Sequence, residues 1–534
     1  MTQVVCVAAI LIGYSIVSFR THPSVWNDAS WGLAATIQFE CGLSPSPVTA
    51  RQPNPDDLAT DIEIRHTWHP PGYQIVPYGF RVLGVSWGDA VRLTVLSMIF
   101  VGVSGWYLAF RQSGLSEPAL GWLFIAFLFF RYTHAEIVHY TGGDLLLWAL
   151  FPWAMVVNVA ALGGRQAVAL AAAAGAVTAS LMWVRYLTGL LTFGLGLAWI
   201  VAVCLRWVPI RSLVAWASAA AVVFGLTMWA GFPGAWNSAG TISLAPPWPV
   251  GESFWHVTAW SLAISDLGSL LHYFFLHPAG QMLRPFHLIF FSFPLALLAA
   301  GVIKCRTAED ATSTARAYRL TAIIVTLAVA VQIAAMTFLN ATLGFEIRYH
   351  RFSAILLLPL IACGSLRLFN SRSWACRVLG CGTIATFIVV PALYGFAAFA
   401  HKAVMRPQSR AIVSSKGLAY PQLGGSGDIR LMLSHLRDLG SHQSSVYYLP
   451  PPFLIEMVDR RCIMQTRFNT QQANGLPLVY CGVPPGGVIL VFENSDEASG
   501  WPNQVKESFR DVEVWTRVTL HGTDRFHAWV GQRA

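Results

Sequence analysis

VVCVAAILIGYSIVSFRTHPSVWNDASW, residues 4–31, decides how the rest of the chain is read. Its first part, Val4–Phe19, is a continuous apolar run with no basic stretch before it and no Ala-x-Ala-like cleavage site, so it reads as a retained helix and not as a removed leader. Directly after it, Asn27 and Asp28 stand between Trp26 and Trp31. Outward from this stretch the pattern repeats. The 534 residues are 55% hydrophobic and only 11% charged, with a mean hydropathy of +0.53. A soluble chain carries roughly 25% charged residues. Long apolar stretches approaching the ~20 residues that cross a bilayer identify a polytopic membrane protein.

Spans are expected near 4–20, 91–110, 117–131, 143–162, 167–184, 187–205, 212–230, 285–303, 318–338, 352–369 and 378–400, about eleven transmembrane helices. With the N-terminus cytoplasmic, the short inner connections hold Arg111, Arg165, Arg206, Arg211, Lys304, Arg306, Arg316, Arg372 and Arg377. Basic loops on one side follow the positive-inside rule, and they explain the net charge of +9 without nucleic acid. The other face receives 21–90, 131–142, 231–284, 339–351 and everything beyond 400. Region 253–275 reads as interfacial, re-entrant or spanning.

The chain divides into a transmembrane module, 1–400, and a small extracytoplasmic α/β domain, 401–534. In the tail, strand-like pieces at 444–450, 477–482 and 486–492 alternate with Gly- and Pro-rich turns, and a helix is expected from about Asp428. VEVWTRVTL and DRFHAWVGQ look like two further strands. Cys462 and Cys481 could pair in an oxidising compartment, which sequence leaves open.

Polar clusters gather where spans end on the outer face. Trp26 and Trp31 suit interface anchors. Asp28 has no anchoring role there and is either a helix cap or a site residue. RYTHAEIVHY supplies Arg131, Tyr132, His134, Glu136 and His139; FEIRYHR supplies Arg348, Tyr349, His350 and Arg351. His134-x-Glu136-x-x-His139 invites a metal reading, but its spacing matches no standard zinc set, and histidines beside a phosphate suit it equally. In His69-Pro70-Pro71-Gly72-Tyr73 the tandem prolines force an extended or turn geometry before the next apolar stretch. The 21–90 connection therefore reads as short juxtamembrane elements over a cavity.

These features together resemble the GT-C superfamily of integral-membrane glycosyltransferases, which includes bacterial aminoarabinose transferases and protein O-mannosyltransferases. In that family an acidic residue opens the first outer loop and a His-Pro-Pro motif closes it, as Asp28 and His69-Pro70-Pro71 do here. Glu136 matches the second acidic position, and Arg348-Tyr349 or Arg351-Phe352 the Arg–aromatic pair before a late span. Two departures stand out: Asp28 follows Asn rather than forming an acidic pair, and Glu136 replaces the usual Asp or Asn.

The resemblance implies a GT-C-like α-helical fold with juxtamembrane helices in the first outer loop, in the inner (plasma) membrane. It implies inverting transfer of a sugar from a polyprenyl-phosphate donor to a lipid, glycan or protein acceptor. Asp28, with Glu136, is then the catalytic carboxylate; Arg131, Arg348 and Arg351 hold the phosphate. His69, His134, Tyr349 and His350 assist, and Trp26, Trp68 and Tyr73 form an aromatic rim. A metal is not obligatory, although Asp28, Glu136 and nearby histidines could ligate a divalent cation. Alternatives are a transporter or flippase of lipid-linked sugar, a surface-polysaccharide polymerase or ligase, and a non-catalytic envelope assembly protein.

Overall fold

The computed structural model describes residues 2–65, 70–133, 139–164, 168–231, 253, 256, 263–264, 312–339, 349–405, 415–420, 429–440, 445–464, 479–494, 505–520 and 526–533. In chain order come α1 (Thr2–Arg20), β1 (Ser24–Val25), α2 (Asn27–Glu40), β2 (Thr49–Asn54), β3 (Asp57–Arg65), α3 (Gly72–Val82), α4 (Trp87–Arg111), α5 (Glu117–Leu128) and β4 (His139–Tyr140). Then follow α6 (Gly143–Gly163), α7 (Val168–Ser180), α8 (Thr188–Cys204), α9 (Ile210–Gly231), α10 (Ser313–Phe338), α11 (Arg351–Phe369) and α12 (Trp374–His401). The tail carries α13 (Ile429–Leu439), β5 (Val446–Leu449), α14 (Pro451–Glu456), β6 (Arg461–Met464), β7 (Val488–Asn494), β8 (Val512–Thr519) and β9 (Phe526–Arg533).

Among the described residues, seven helices are long and apolar enough to cross a membrane: α1, α4, α6, α9, α10, α11 and α12. Three more expected spans coincide with α5, α7 and α8, which are apolar but shorter. The eleventh, 285–303, and nearly all of 253–275 lie outside the described residues. The chain is a multi-pass membrane protein, and exposed side chains such as Ile12, Leu226, Trp229 and Leu393 suit hydrocarbon surroundings.

Two compact units divide the chain. The first comprises Met1–Val17, Leu96–Ile137 and Asp144–Met405. A buried asparagine knits its helices. Asn158 of α6 donates to Thr178 Oγ1 of α7 at 2.9 Å, and its Oδ1 accepts from Trp199 Nε1 of α8 at 2.8 Å and Trp216 Nε1 of α9 at 3.0 Å. Each polar group in this apolar setting thereby finds a partner, which is the condition for burying it. Close approach of α7 and α9 requires Gly175, where a Cβ would lie 2.1 Å from the Trp216 carbonyl oxygen. In α12, Pro391 has no N–H to offer, and a π turn over Ala385–Val389 accommodates the break.

The second unit comprises Ser18–Val95, Val138–Gly143 and Arg406–Ala534, so the tail shares it with the first long connection. Its sheet has the order β6-β5-β7-β9-β8, with β6, β5 and β7 parallel and β9 and β8 antiparallel. All four residues of β5, VYYL, are buried, as befits an interior parallel strand. β2 and β3 form an antiparallel hairpin. Leu58 from it enters the tail's core beside Val446, Tyr448, Tyr480 and Phe509. Arg461 reaches Asp61 of the hairpin at 2.8 Å, and the Leu58 N–H donates to the Cys481 carbonyl at 2.8 Å. Cys462, buried, and Cys481 are both free thiols, so the pairing that the sequence leaves open is not made in this structure.

Candidate functional site

Residues singled out from the sequence fall in both units. In the second, β1 and β4 pair in parallel, Ser24 opposite His139 and Val25 opposite Tyr140. On the other side of β1 the tail adds a single bridge at Ala419. The Val25 N–H donates to the Ala419 carbonyl at 2.8 Å, the Ala419 N–H to the Pro23 carbonyl at 2.9 Å, and the Trp26 N–H to the Tyr140 carbonyl at 3.2 Å. The chain thus enters α2 from a fixed strand. Trp26 occupies the N-cap position, with no side-chain capping bond, and Asp28 lies exposed inside the first turn. A carboxylate there is favoured by the helix dipole.

Tyr73, expected on an aromatic rim, is buried. A Cβ on Gly32 would meet its hydroxyl at 2.2 Å, and its carbonyl accepts from the Tyr140 hydroxyl. Burial, with Tyr73 adding, pushes the Tyr140 phenol well above its usual value, which keeps that hydroxyl a donor. Trp31 is no interface anchor: it is 8% exposed and lines a small cavity with Met457, Cys462 and Met464 of the tail. Residue type alone does not separate an interface tryptophan from a core one.

In the first unit a buried polar cluster forms around residues 349–351. The Arg351 guanidinium lies 5.5 Å from the Tyr132 ring centroid and 4.7 Å from that of Phe352. Arg185 lies 5.4 Å from the Tyr349 ring and is ion-paired with Asp144. Arg351, Arg185 and Asp144 are all under 10% exposed. His350 Nε2 faces His256 Nδ1 at 3.3 Å, both rings fully buried. Burial, with His256 adding, pushes His350 down to about 3, so the ring is neutral at ordinary pH. Tyr132 donates to the carbonyls of Ala263, at 3.2 Å, and Ile264. Delocalised guanidinium groups over aromatic faces keep their charge in such a setting and bind phosphate oxygens in a fork.

Arg131, half-buried, adjoins this cluster in sequence. Trp68, His69, His134, Glu136 and Arg348 lie outside the described residues, as does the side chain of His139. Among the described residues, no group of three or more His, Cys, Asp or Glu gathers as metal ligands. Sequence reasoning missed Asp144 and Arg185. The signal was present: Arg185 falls in the short turn between two apolar runs, on the face that the charge pattern leads one to expect outside, where positive-inside gives arginine no anchoring role.

No family model matches the sequence, and no curated protein matches it. Among solved structures, ArnT from Cupriavidus metallidurans in the apo state aligns with a TM-score of 0.51 and 12% identity, over 99% of this chain and 97% of that one. ArnT from the same organism bound to undecaprenyl phosphate aligns at 0.49 and 13% identity, over 99% and 97%. The Archaeoglobus fulgidus oligosaccharyltransferase, in complex with Zn and sulfate, aligns at 0.48 and 11% identity, over 97% of this chain and 72% of that one. The likeness is one of fold. It runs along nearly the whole of both chains for the apo ArnT structure.

Proposed function

We propose that this protein is an inverting glycosyltransferase that takes a sugar from a polyprenyl-phosphate donor and passes it to an acceptor hydroxyl on the extracytoplasmic side. The observation that carries the reading is the buried pair of arginines, Arg351 and Arg185, each lying over a tyrosine ring in a multi-pass unit. Permanent positive charge, buried and braced by aromatic rings, suits a lipid-borne phosphate as it gains charge on leaving. That chemistry agrees with the undecaprenyl phosphate held by one ArnT structure.

In the reaction the acceptor oxygen attacks C1 of the sugar from the face opposite the phosphate. The C1–O bond to phosphate breaks, polyprenyl phosphate departs with the electron pair, and the configuration at C1 inverts. Asp28, exposed and held at the start of α2, receives the hydroxyl proton. Arg351 stabilises the departing phosphate, with Arg131 and Arg348 as further cations. Arg185 is held by Asp144 against Tyr349 and orients the segment that carries Arg351. Neutral His350 offers hydrogen bonding without adding charge. Where a divalent cation takes part, Asp28, Glu136 and His134 are its candidate ligands. The C-terminal sheet is assigned to the extracytoplasmic side.

The test is transfer from a panel of radiolabelled undecaprenyl-phosphate-linked monosaccharides by the purified protein in lipid vesicles, with lipid, glycan and peptide acceptors supplied. Release of undecaprenyl phosphate with formation of labelled product is expected. Absence of transfer across the whole panel, with the protein folded, would overturn the assignment.

A further inference from the structure

We infer that Glu456, in the tail, is a positioning residue for Asp28, a role that rests on the functional reading above. The side chain ends the short helix α14 and is 8% exposed. Its two oxygens hold the two ends of one segment. Tyr420 donates its hydroxyl to Oε1 at 2.9 Å, and Ser415 donates its hydroxyl to Oε2 at 3.3 Å. Between these anchors runs Lys416-Gly417-Leu418-Ala419, and Ala419 is the residue bonded to Pro23 and Val25, three residues before Asp28. A third point fixes this strap: the Gly88 N–H donates to the Lys416 carbonyl at 2.9 Å. There a Cβ on Gly88 would lie 2.8 Å from the Gly417 oxygen, and Gly417 itself has φ +75°.

A buried carboxylate is costly to desolvate, so an apolar residue would serve better if packing were its only task. An acceptor with two oxygens suits two hydroxyls at the ends of a six-residue segment. The main chain of Glu456 is held as well, its carbonyl accepting from Arg437 at 2.8 Å. α14 also packs directly against α2. The tail therefore acts on α2 by two routes within one unit, through the strap before its start and through α14 along its length, and it belongs to the machinery that orients the base.

The test compares full-length Glu456→Ala, Glu456→Gln and Tyr420→Phe in lipid nanodiscs, first by hydrogen–deuterium exchange. Exchange at the Val25 and Ala419 amides should speed up ~10-fold in Glu456→Ala and Tyr420→Phe, while β7 and β9 amides stay protected and Glu456→Gln exchanges like wild type. With the undecaprenyl-phosphate-sugar panel, kcat should fall ~10- to 100-fold at unchanged KM in Glu456→Ala and Tyr420→Phe, with no further loss in an Asp28→Asn background. Wild-type exchange at Val25 and Ala419 in Tyr420→Phe would overturn the inference, even if Glu456→Ala unfolds the tail. So would an additional loss in the Asp28→Asn background. Faster exchange with no turnover from any donor would remove the functional reading alone and leave the strap's hold on α2 standing.

Discussion

Asp28 and Asp144 begin alike and end differently. Each lies in the first turn of a helix, and each helix follows one strand of the same two-stranded parallel pair, α2 after β1 and α6 after β4. Asp28 is exposed. Asp144 is buried and paired with Arg185, whose guanidinium lies over Tyr349. Local sequence can put a carboxylate at a helix start in both cases, since the dipole favours it there. Its partners then decide what it does. A solvated carboxylate can exchange a proton with a substrate; one committed to a buried guanidinium fixes the geometry of its partner.

The strongest way to break that contrast is Asp28→Asn. Transfer should fall by ~10²–10⁴-fold in kcat, the usual worth of a general base, with thermal stability unchanged. Equal turnover in the variant would place Asp28 with the structural acids. Asp144→Leu should show the opposite profile. Orphaning a buried charge costs ~3–5 kcal/mol, and replacing both partners costs far less. Thermal unfolding in detergent should therefore find Asp144→Leu/Arg185→Leu more stable than Asp144→Leu alone. An effect of similar size sharpens the comparison with a polar residue assigned no part in the chemistry. Asn158→Leu leaves the Trp199 and Trp216 indole N–H groups without their acceptor and should cost ~1–3 kcal/mol for each, while turnover per folded molecule stays at the wild-type level. The smallest effect is expected at the hairpin. Arg461→Met removes charge-assisted bonds to Asp61 and should cost ~1.5–3 kcal/mol at most, seen as faster proteolysis between 49 and 65.

How much of this was open to reading from the residues depends on the distance over which each feature is encoded. Apolar runs of span length carry their own signal, and α1 and α4 to α12 coincide with expected segments. Strands β5, β7, β8 and β9 were visible in β-branched and aromatic alternation; β6, RCIM, is too short and mixed to announce itself. Asp144 and Arg185 stand 41 residues apart in sequence. Taken singly neither names the other, and only folding makes them a pair. Trp31 looked like a membrane anchor because its type fits one, whereas its neighbours in space, Met457 and Cys462, come from the other end of the chain. Asp28 was singled out for its position, and the structure adds what holds that position: β1, β4 and Ala419.

The β2–β3 hairpin carries a further consequence, for the order in which the molecule is made. Asp61 meets Arg461 across 400 residues of sequence, and Leu58 completes a core otherwise built from Val446 onward. A ribosome adding ~5–20 residues per second needs on the order of 20–80 s to cover that interval. Throughout it the hairpin, a two-stranded ribbon with little stability of its own, has α2 to lean on through Gln38 and Arg51 but not the core that Leu58 enters. The second unit can therefore close only after the membrane helices have been synthesised. Its early half waits for the last segment of the chain to arrive.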